Sequence, residues 1–439
     1  MSAPDLAEVI EQVRTRAAAE AEAMVREAVT AMHADHADLR DLEQRLRERT
    51  LALGGSLFEH ALALAGPGYE GSSRRCSCGG RQKFIGYRAK QIVTLLAPLT
   101  LRRAYYHCRQ CHQGTVPLDR RWDVVGTGFS PAFREAVAWL TAELPFGRSA
   151  ELLGQLCRVT ISKQWVEQFT HTLGQQLEAF PEPPPAIAPV ASDTPELYTE
   201  VDGTTIPLRQ GWKEVKVAAL FRAHAEAEHP PQRGPTTYLA QLGTVEHFGA
   251  RLWQTLERLP AEPARREVRL GDGAPWIWNL AALQAPGAIE IVDWYHATEH
   301  LWQVGRAAHG DDSPCVTPWV KARETELWEG RVSAVFKALR ALEPRSVAGH
   351  DARRTNLEYF RTHRKRMHYD RFRTRGLFIG SGVVEGGGCK HAVGARLKKA
   401  GMRWSPEGAQ KTLRLRLCIL NQQWEPFHRW RQQQLHQAA

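Results

Sequence analysis

ELYTEVDGTTIPL, residues 196–208, mixes β-branched and aromatic residues with polar ones, as a half-buried strand does, and carries an aspartate beside a glycine at Asp202. Two more strand-like stretches follow, EVKVAALFRAH (214–224) and TTYLAQLG (236–243). The text then turns helical in VEHFGARLWQTLERL (245–259), where apolar residues recur at helical spacing. REVRLGDGAPWIWNL (266–280) and AIEIVDWYHATEHLW (288–302) each begin as a strand and end as a helix. The first of these two places Asp272 between two glycines at the end of its strand.

Three strands, helix, strand, helix, strand is the order of a ribonuclease-H-like sheet. In that topology the first and fourth strands are central neighbours, so Asp202 and Asp272 are expected at adjacent strand ends. Two carboxylates so close repel unless a cation lies between them, and the flanking glycines keep the backbone open to a metal or a phosphate. Asp-Gly is also a common turn dipeptide, so either aspartate alone would say little. A third acid, Glu385, stands in GSGVVEGGGCKHAVGARLKKAGMRW, residues 380–404. With Ser381 as its cap, a helix there brings Glu385 to the aspartate pair, followed by the cations Lys390, Arg396, Lys398, Lys399 and Arg403. The spacing of a phosphate loop is absent from this glycine-rich text.

The formal net charge of +10 and pI near 9.3 point to a polyanionic partner, nucleic acid first. No apolar run is long enough to span a membrane, and the alanine-rich, acidic start is unlike a signal peptide, so the expectation is a soluble intracellular protein. Eight cysteines are too sparse for a disulfide scaffold. Four of them, Cys76, Cys78, Cys108 and Cys111, form two close pairs around hairpin-like text, the layout of a structural zinc ribbon. The first pair has a single-residue spacer, which leaves His107 and His112 as possible substitutes.

Residues 1–70 repeat apolar positions at helical spacing (Leu6, Val9, Ile10, Val13; Leu39, Leu42, Leu46) and predict one or two long helices, either a solvated pair or a dimerisation arm. GRSAELLGQLCRVTISKQWVEQFTHTLG (147–174) has the rhythm of a helix-turn-helix, capped at Ser162, with Lys163 and Gln164 where recognition helices reach base edges; a helical hairpin that only packs shares that pattern. The expected class is therefore multidomain α/β. A helical region (1–70), a zinc ribbon (71–120), a helix-turn-helix (121–180) and a Pro-rich linker (181–197) precede a ribonuclease-H-like core (198–300 and 376–420). A helical insertion (301–375) interrupts the core and a tail (421–439) ends the chain. The insertion ends in RTHRKRMHYDRFRTRG (361–376), whose Arg364, Lys365, Arg366, Arg371 and Arg373 are candidate phosphate contacts.

VDGTTIPL, GDGAPWIWNL, DWYHATEHLW and SGVVEGGGCKHAVGARLKKAGMRWS resemble segments of DDE transposases of bacterial insertion sequences, in particular the ISKra type related to Mutator-like transposases. The resemblance runs from the ribbon to about Leu417. It implies that Asp202, Asp272 and Glu385 are the catalytic triad, binding Mg2+ or Mn2+, with Asp293 and His296 matching a family motif after the second aspartate; His296 either contacts the scissile phosphate or orders the helix after the fifth strand. It also implies double-stranded DNA as partner, at element ends and target, a homodimer or higher oligomer on that DNA, and a place in the bacterial cytoplasm at the nucleoid. A catalytically silent DNA-binding descendant and a structure-selective nuclease on the same fold are the alternatives.

Overall fold

The structure, a computed structural model, describes residues 6–33, 38–185, 187, 195–226, 229–259 and 266–437. It divides into two compact units, Met1–Phe169 with Phe427–Ala439, and Thr170–Pro426. The division falls inside a helix, ahead of the Pro-rich stretch, most of whose later residues (186, 188–194) lie outside the described residues.

The first unit opens with two long helices, α1 (Leu6–Met32) and α2 (Leu39–Leu64). Ion pairs of Arg45 with Glu27 and Arg49 with Glu20 join them, and α1 buries no residue. An antiparallel sheet follows in sequential order: β1 (Ser73–Arg75), β2 (Arg81–Ile92), β3 (Leu99–Cys108) and β4 (Gly114–Thr115). Inward residues of the hairpin, among them Ile92, Leu99 and Leu101, form a small core with Val124, Leu62 and Trp122. After α3 (Pro117–Arg121) come α4 (Pro131–Glu143), α5 (Phe146–Cys157) and α6 (Lys163–Gln176). Arg158 takes a left-handed conformation (φ 56°) to turn the chain between α5 and α6, and Ser162 Oγ accepts from Trp165 N at 3.1 Å, capping α6 as expected. Trp165 packs on Phe129 and Phe169, with ring centroids 4.1 and 5.2 Å away.

The second unit is built on a mixed sheet. Its strands β5 (Glu196–Leu208), β6 (Gly211–Glu226) and β7 (His229–Leu242) are antiparallel neighbours. Helix α7 (Val245–Glu257) leads to β8 (Arg266–Gly271), and α8 (Pro275–Gln284) to β9 (Ile289–Val292). The spatial order is β7-β6-β5-β8-β9, with β5, β8 and β9 parallel. Parallel strands covered on both faces favour nearly continuous apolar runs, and β8 and β9 carry buried Val268, Leu270, Ile291 and Val292.

Five helices continue the chain: α9 (Trp294–His309), α10 (Val316–Trp328), α11 (Val332–Ala341), α12 (Val347–His363) and α13 (Tyr369–Thr374). Their inner faces join the core beneath the sheet through Leu301, Val320, Val335 and Phe360. The chain then forms a π-helix (Val383–Gly394), the short α14 (Ala395–Leu397) and α15 (Pro406–Leu420). The last helix, α16 (Trp424–Gln437), belongs from Phe427 onward to the first unit, and there Arg431 bonds Asp123 at 2.9 Å, beside Arg134. Among the described residues no helix is long and apolar enough to cross a membrane.

Two expectations change. Asp202 is not at a strand end: β5 runs on to Leu208, because its outer half still pairs with β6 after β8 has stopped at Gly271. The segment after Ser381 is a π-helix with no side-chain cap, rather than an α-helix capped by that serine.

Packing of α6 against α15 gives a test of the second unit. Gly174 lies so close to Lys411 that an added Cβ would stand 2.3 Å from the Lys411 carbonyl oxygen, and backbone cannot yield as a side chain can. Gly174→Ala is expected to lower stability by about 1–3 kcal/mol in urea denaturation. An unchanged midpoint would mean that the two helices separate freely.

Candidate functional site

Alternation along β5 sends Tyr198, Glu200, Asp202 and Thr204 out of one face. Each meets a successive point of the later segment. Phe378 N donates to Tyr198 Oη at 3.1 Å, and Val384 N donates to Glu200 Oε2 at 2.8 Å. The Cys389 thiol donates to Asp202 Oδ2 at 3.4 Å, and the Lys398 ammonium donates to Thr204 Oγ1. Beyond the ladder Trp404 N donates to Pro207 O at 3.1 Å and Arg209 N to Trp404 O at 2.9 Å. One strand thus carries the whole 378–404 segment.

The π-helix sits close to the sheet because it has no side chains at two points of contact. A Cβ on Gly387 would fall 2.0 Å from Tyr238 Oη, and one on Gly388 would fall 2.6 Å from Val217 Cγ1. Its first amides face two carboxylates: Glu200 takes Val384 N, and Asp293 Oδ2 takes Ser381 N. Asp293 Oδ1 also accepts from His296 N at 2.8 Å, so one side chain caps α9 and steadies the approach to the π-helix. At the far end the buried Arg416 of α15 donates to Ala392 O and His391 O at 2.7 and 2.8 Å. Burial pushes the Glu200 carboxyl up to about 8, against the pull of the Val384 amide, with the Asp293 charge adding to the rise. Its Oε1 is buried with no hydrogen-bond partner among the described residues.

Val201 and Gly271 are paired in the parallel register, so Asp202, still within β5, and Asp272, just past the end of β8, stand side by side, about 5 Å being the spacing of neighbouring strands. Burial raises the Asp202 carboxyl, despite the Gly203 amide and the Cys389 thiol, and the Asp272 charge raises it further. Asp272 Oδ1 accepts from Ala274 N at 2.8 Å, which opens α8. Its carbonyl oxygen accepts from Tyr359 Oη of α12 at 3.0 Å, and the tyrosine ring lies against Gly273. His296, half-exposed in the first turn of α9, bears on Asp202 electrostatically and stands 3.7 Å from Glu299.

Glu385 is half-exposed on the π-helix, where Lys390 Nζ meets its Oε1 at 2.7 Å, five residues apart as the π repeat requires. Its charge is felt at Cys389, the residue bonded to Asp202. The three acids are not drawn tightly together. Among the described residues, the one group of three or more potential ligands whose atoms lie within 4.8 Å of one another is elsewhere.

That group is Cys76, Cys78, Cys108 and Cys111. Pairing of β2 with β3 sets Gln82 opposite Cys108 and so brings the two cysteine pairs together. Cys76 and Cys111 sulfurs are 3.6 Å apart, those of Cys78 and Cys108 3.7 Å. A tetrahedron with metal–sulfur bonds of about 2.3 Å has edges of about 3.8 Å, so the four sulfurs fit a metal ion such as zinc, without His107 or His112. The Cys78 amide is the main cause of a Cys76 value lowered to about 6. Cys111 is pushed up to about 12 although the Gln113 amide pulls it down, because burial and its three sulfur neighbours oppose another negative charge. Such a cluster sheds its first proton easily and its last only to a cation.

The candidate phosphate contacts separate into two groups. Arg364, Lys365, Arg371, Lys390, Lys398 and Arg403 are exposed, as are Lys163 and Gln164 at the start of α6, and Lys399 is half-buried. Arg396 must be withdrawn: it is fully buried, its guanidinium 5.1 Å from the Trp404 ring, and cannot reach a phosphate. Arg366 is held by Glu290 at 2.6 Å and lies over Trp278, and Arg373 stacks on Trp328 at 3.6 Å, so both serve the fold first. Glu200, Cys389, Tyr359 and Arg416 were not anticipated. Only Glu200, two residues before Asp202 and hence on its face, left a sign in the sequence.

Two measurements test these centres. Metal analysis is expected to find about one tightly held ion per chain, and Cys108→Ser to lose it and loosen the first unit; fully folded, metal-free wild-type protein would contradict the cluster. For Glu200, a raised value means that the folded state holds the proton more tightly. Its contribution is complete below the ordinary 4.5 and is lost as pH rises through about 8. Thermal denaturation between pH 5 and 8 is expected to show that decline, and Glu200→Gln, which keeps an acceptor for Val384 N, to flatten it.

No curated protein matches the chain. A family model described as Uncharacterised protein family (UPF0236) matches residues 36–434, taking in both the cysteine cluster and the acid-bearing sheet, and the chain belongs to that family.

Proposed function

We propose that the protein is a DNA transposase of the DDE type, which binds the ends of its insertion sequence and carries out metal-dependent strand cleavage and strand transfer. The sheet order, with its first three strands antiparallel and the first, fourth and fifth parallel, supports the reading of a ribonuclease-H-like core. The observation that carries the reading is the placing of three acids. Asp202 within β5 and Asp272 just after β8 are neighbours across two parallel strands, and the helix bearing Glu385 is docked on β5.

Mg2+ or Mn2+ bound by Asp202, Asp272 and Glu385 would supply the charge that activates a water or a 3′-hydroxyl and steadies the leaving oxygen. The chain's own residues do the rest. Asp202 and Asp272 together offer a cation-binding edge, at which burial first, and the Asp272 charge to a lesser degree, raise the Asp202 carboxyl. Lys398, Lys399 and Arg403 follow the π-helix and hold the phosphate backbone beside it. Arg364, Lys365 and Arg371 extend that hold from the helical insertion. His296 faces the phosphate from the first turn of α9. In the first unit Lys163 and Gln164 read base edges from the start of α6, and zinc at the four cysteines is structural, since the tetrahedron is closed.

One observation favours a DNA-binding protein that does not cut. Glu385 is paired with Lys390 rather than gathered with the aspartates. Incubation with magnesium and the DNA ends of the element separates the two readings. Asp202→Asn, Asp272→Asn and Glu385→Gln are each expected to remove cleavage, by a hundredfold or more, and to leave DNA affinity within a few-fold of the parent. A parent protein that binds the ends and never cuts them is the non-cutting form, and a variant that cuts at the parent rate has been wrongly placed in the triad.

A further inference from the structure

Between Glu70 and Asp119 the chain contains no acidic residue and nine Lys or Arg. Three of these cations are neutralised inside the fold: Arg74 by Glu70 at 3.0 Å, and Lys90 and Arg103 by the buried Asp119 at 3.2 and 2.6 Å. The other six, Arg75, Arg81, Lys83, Arg88, Arg102 and Arg109, are exposed, and among the described residues none has a carboxylate within 4.0 Å. The register makes their crowding worse. Arg75 and Arg81 stand directly opposite each other across β1 and β2, an arrangement that is destabilising for like charges.

Two further guanidinium groups are fixed in place. Arg88 lies 3.4 Å over the Tyr105 ring and Arg102 lies 4.1 Å over Tyr87, so each planar fork is spread and exposed on the hairpin before any ligand arrives. A divalent ion on four thiolates leaves two negative charges, fewer than the six exposed cations, so the metal centre does not account for them.

The register puts Arg88 on the face of Arg81 and Lys83, and Arg102 on the opposite one. We propose that the face of the cysteine-bearing sheet that carries Arg75, Arg81, Lys83 and Arg88 is a second nucleic-acid surface, which grips the phosphodiester backbone of duplex DNA irrespective of sequence. A forked, stacked arginine matches paired phosphate oxygens, and the unrelieved Arg75–Arg81 pair gains most from a polyanion between them. The surface lies wholly within the first unit and does not depend on the triad.

The test uses the full chain and a fluorescent 30-base-pair duplex of arbitrary sequence, with affinity measured over a range of salt. Arg75→Gln with Arg81→Gln, and separately Lys83→Gln with Arg88→Gln, are expected to weaken binding to all sequences alike, and Arg102→Gln on the opposite face to leave it unchanged. Each lost phosphate contact should lower the slope of log affinity against log salt by about 0.9. Metal content and melting temperature report whether each variant is folded. Should the first pair disturb the cluster, the second pair, which lies away from that strand opposition, carries the test. An unchanged slope in folded variants of these pairs overturns the proposal, as does loss of binding to phosphatidylglycerol vesicles with DNA affinity retained. Cleavage assays run in parallel keep the two readings apart: loss of salt slope in a protein that never cuts DNA supports this surface and removes only the transposase reading.

Discussion

A helix whose two ends are each held by a buried hydrogen-bonding side chain governs the second unit. The π-helix presents unpaired amides and a partial positive charge at its start, and there the Glu200 and Asp293 carboxylates wait. Its last carbonyls, with a partial negative charge, receive the buried guanidinium of Arg416. These partners come from β5, from the end of β9 and from α15, so the helix ties together three elements far apart in sequence. A buried carboxylate is costly to ionise, and here the cost is offset only by backbone amides. That tension appears as the raised Glu200 value.

The same clamp explains why Asp202, Asp272 and Glu385 share one region while lying on such different supports. Asp202 is inside a central strand and is bonded by a thiol from the π-helix. Asp272 sits on a turn held from the other side by Tyr359, so the helices that follow the sheet also stiffen the site. Glu385 is on the solvent side of the docked helix with a lysine as partner. Two of the acids are therefore fixed by the fold and the third is held by a surface ion pair, an interaction typically worth less than about 1 kcal/mol.

Charge in the first unit is arranged around two poles. Asp119 gathers Lys90 and Arg103 at the inner end of the hairpin, and the four cysteines gather at the outer end. Between them the strand register leaves cations facing cations or stacked on tyrosines. Such a surface is held together by backbone pairing and the cysteine cluster rather than by its side-chain charges.

Much of this was legible in the sequence, for reasons that are local. Alternation and β-branching marked β5 to β9 in their order, helical periodicity marked α1, α2 and the run from α9 to α13, and Ser162 announced α6. Paired cysteines on either side of hairpin text announced the cluster, because strand pairing alone brings them together. Other features had no local cause. The helix type at Glu385 depends on glycines meeting Tyr238 and Val217 and on caps donated from three distant segments. Arg396 looks like its exposed neighbours in sequence and is buried because Trp404 returns over it. The sequence by itself determined which residues would line strands and helices, since periodicity is a property of neighbours. Which acids stand exposed, which cations remain free and how the π-helix is held were decided by tertiary structure alone, because burial and hydrogen-bond partners come from chain segments up to about two hundred residues away.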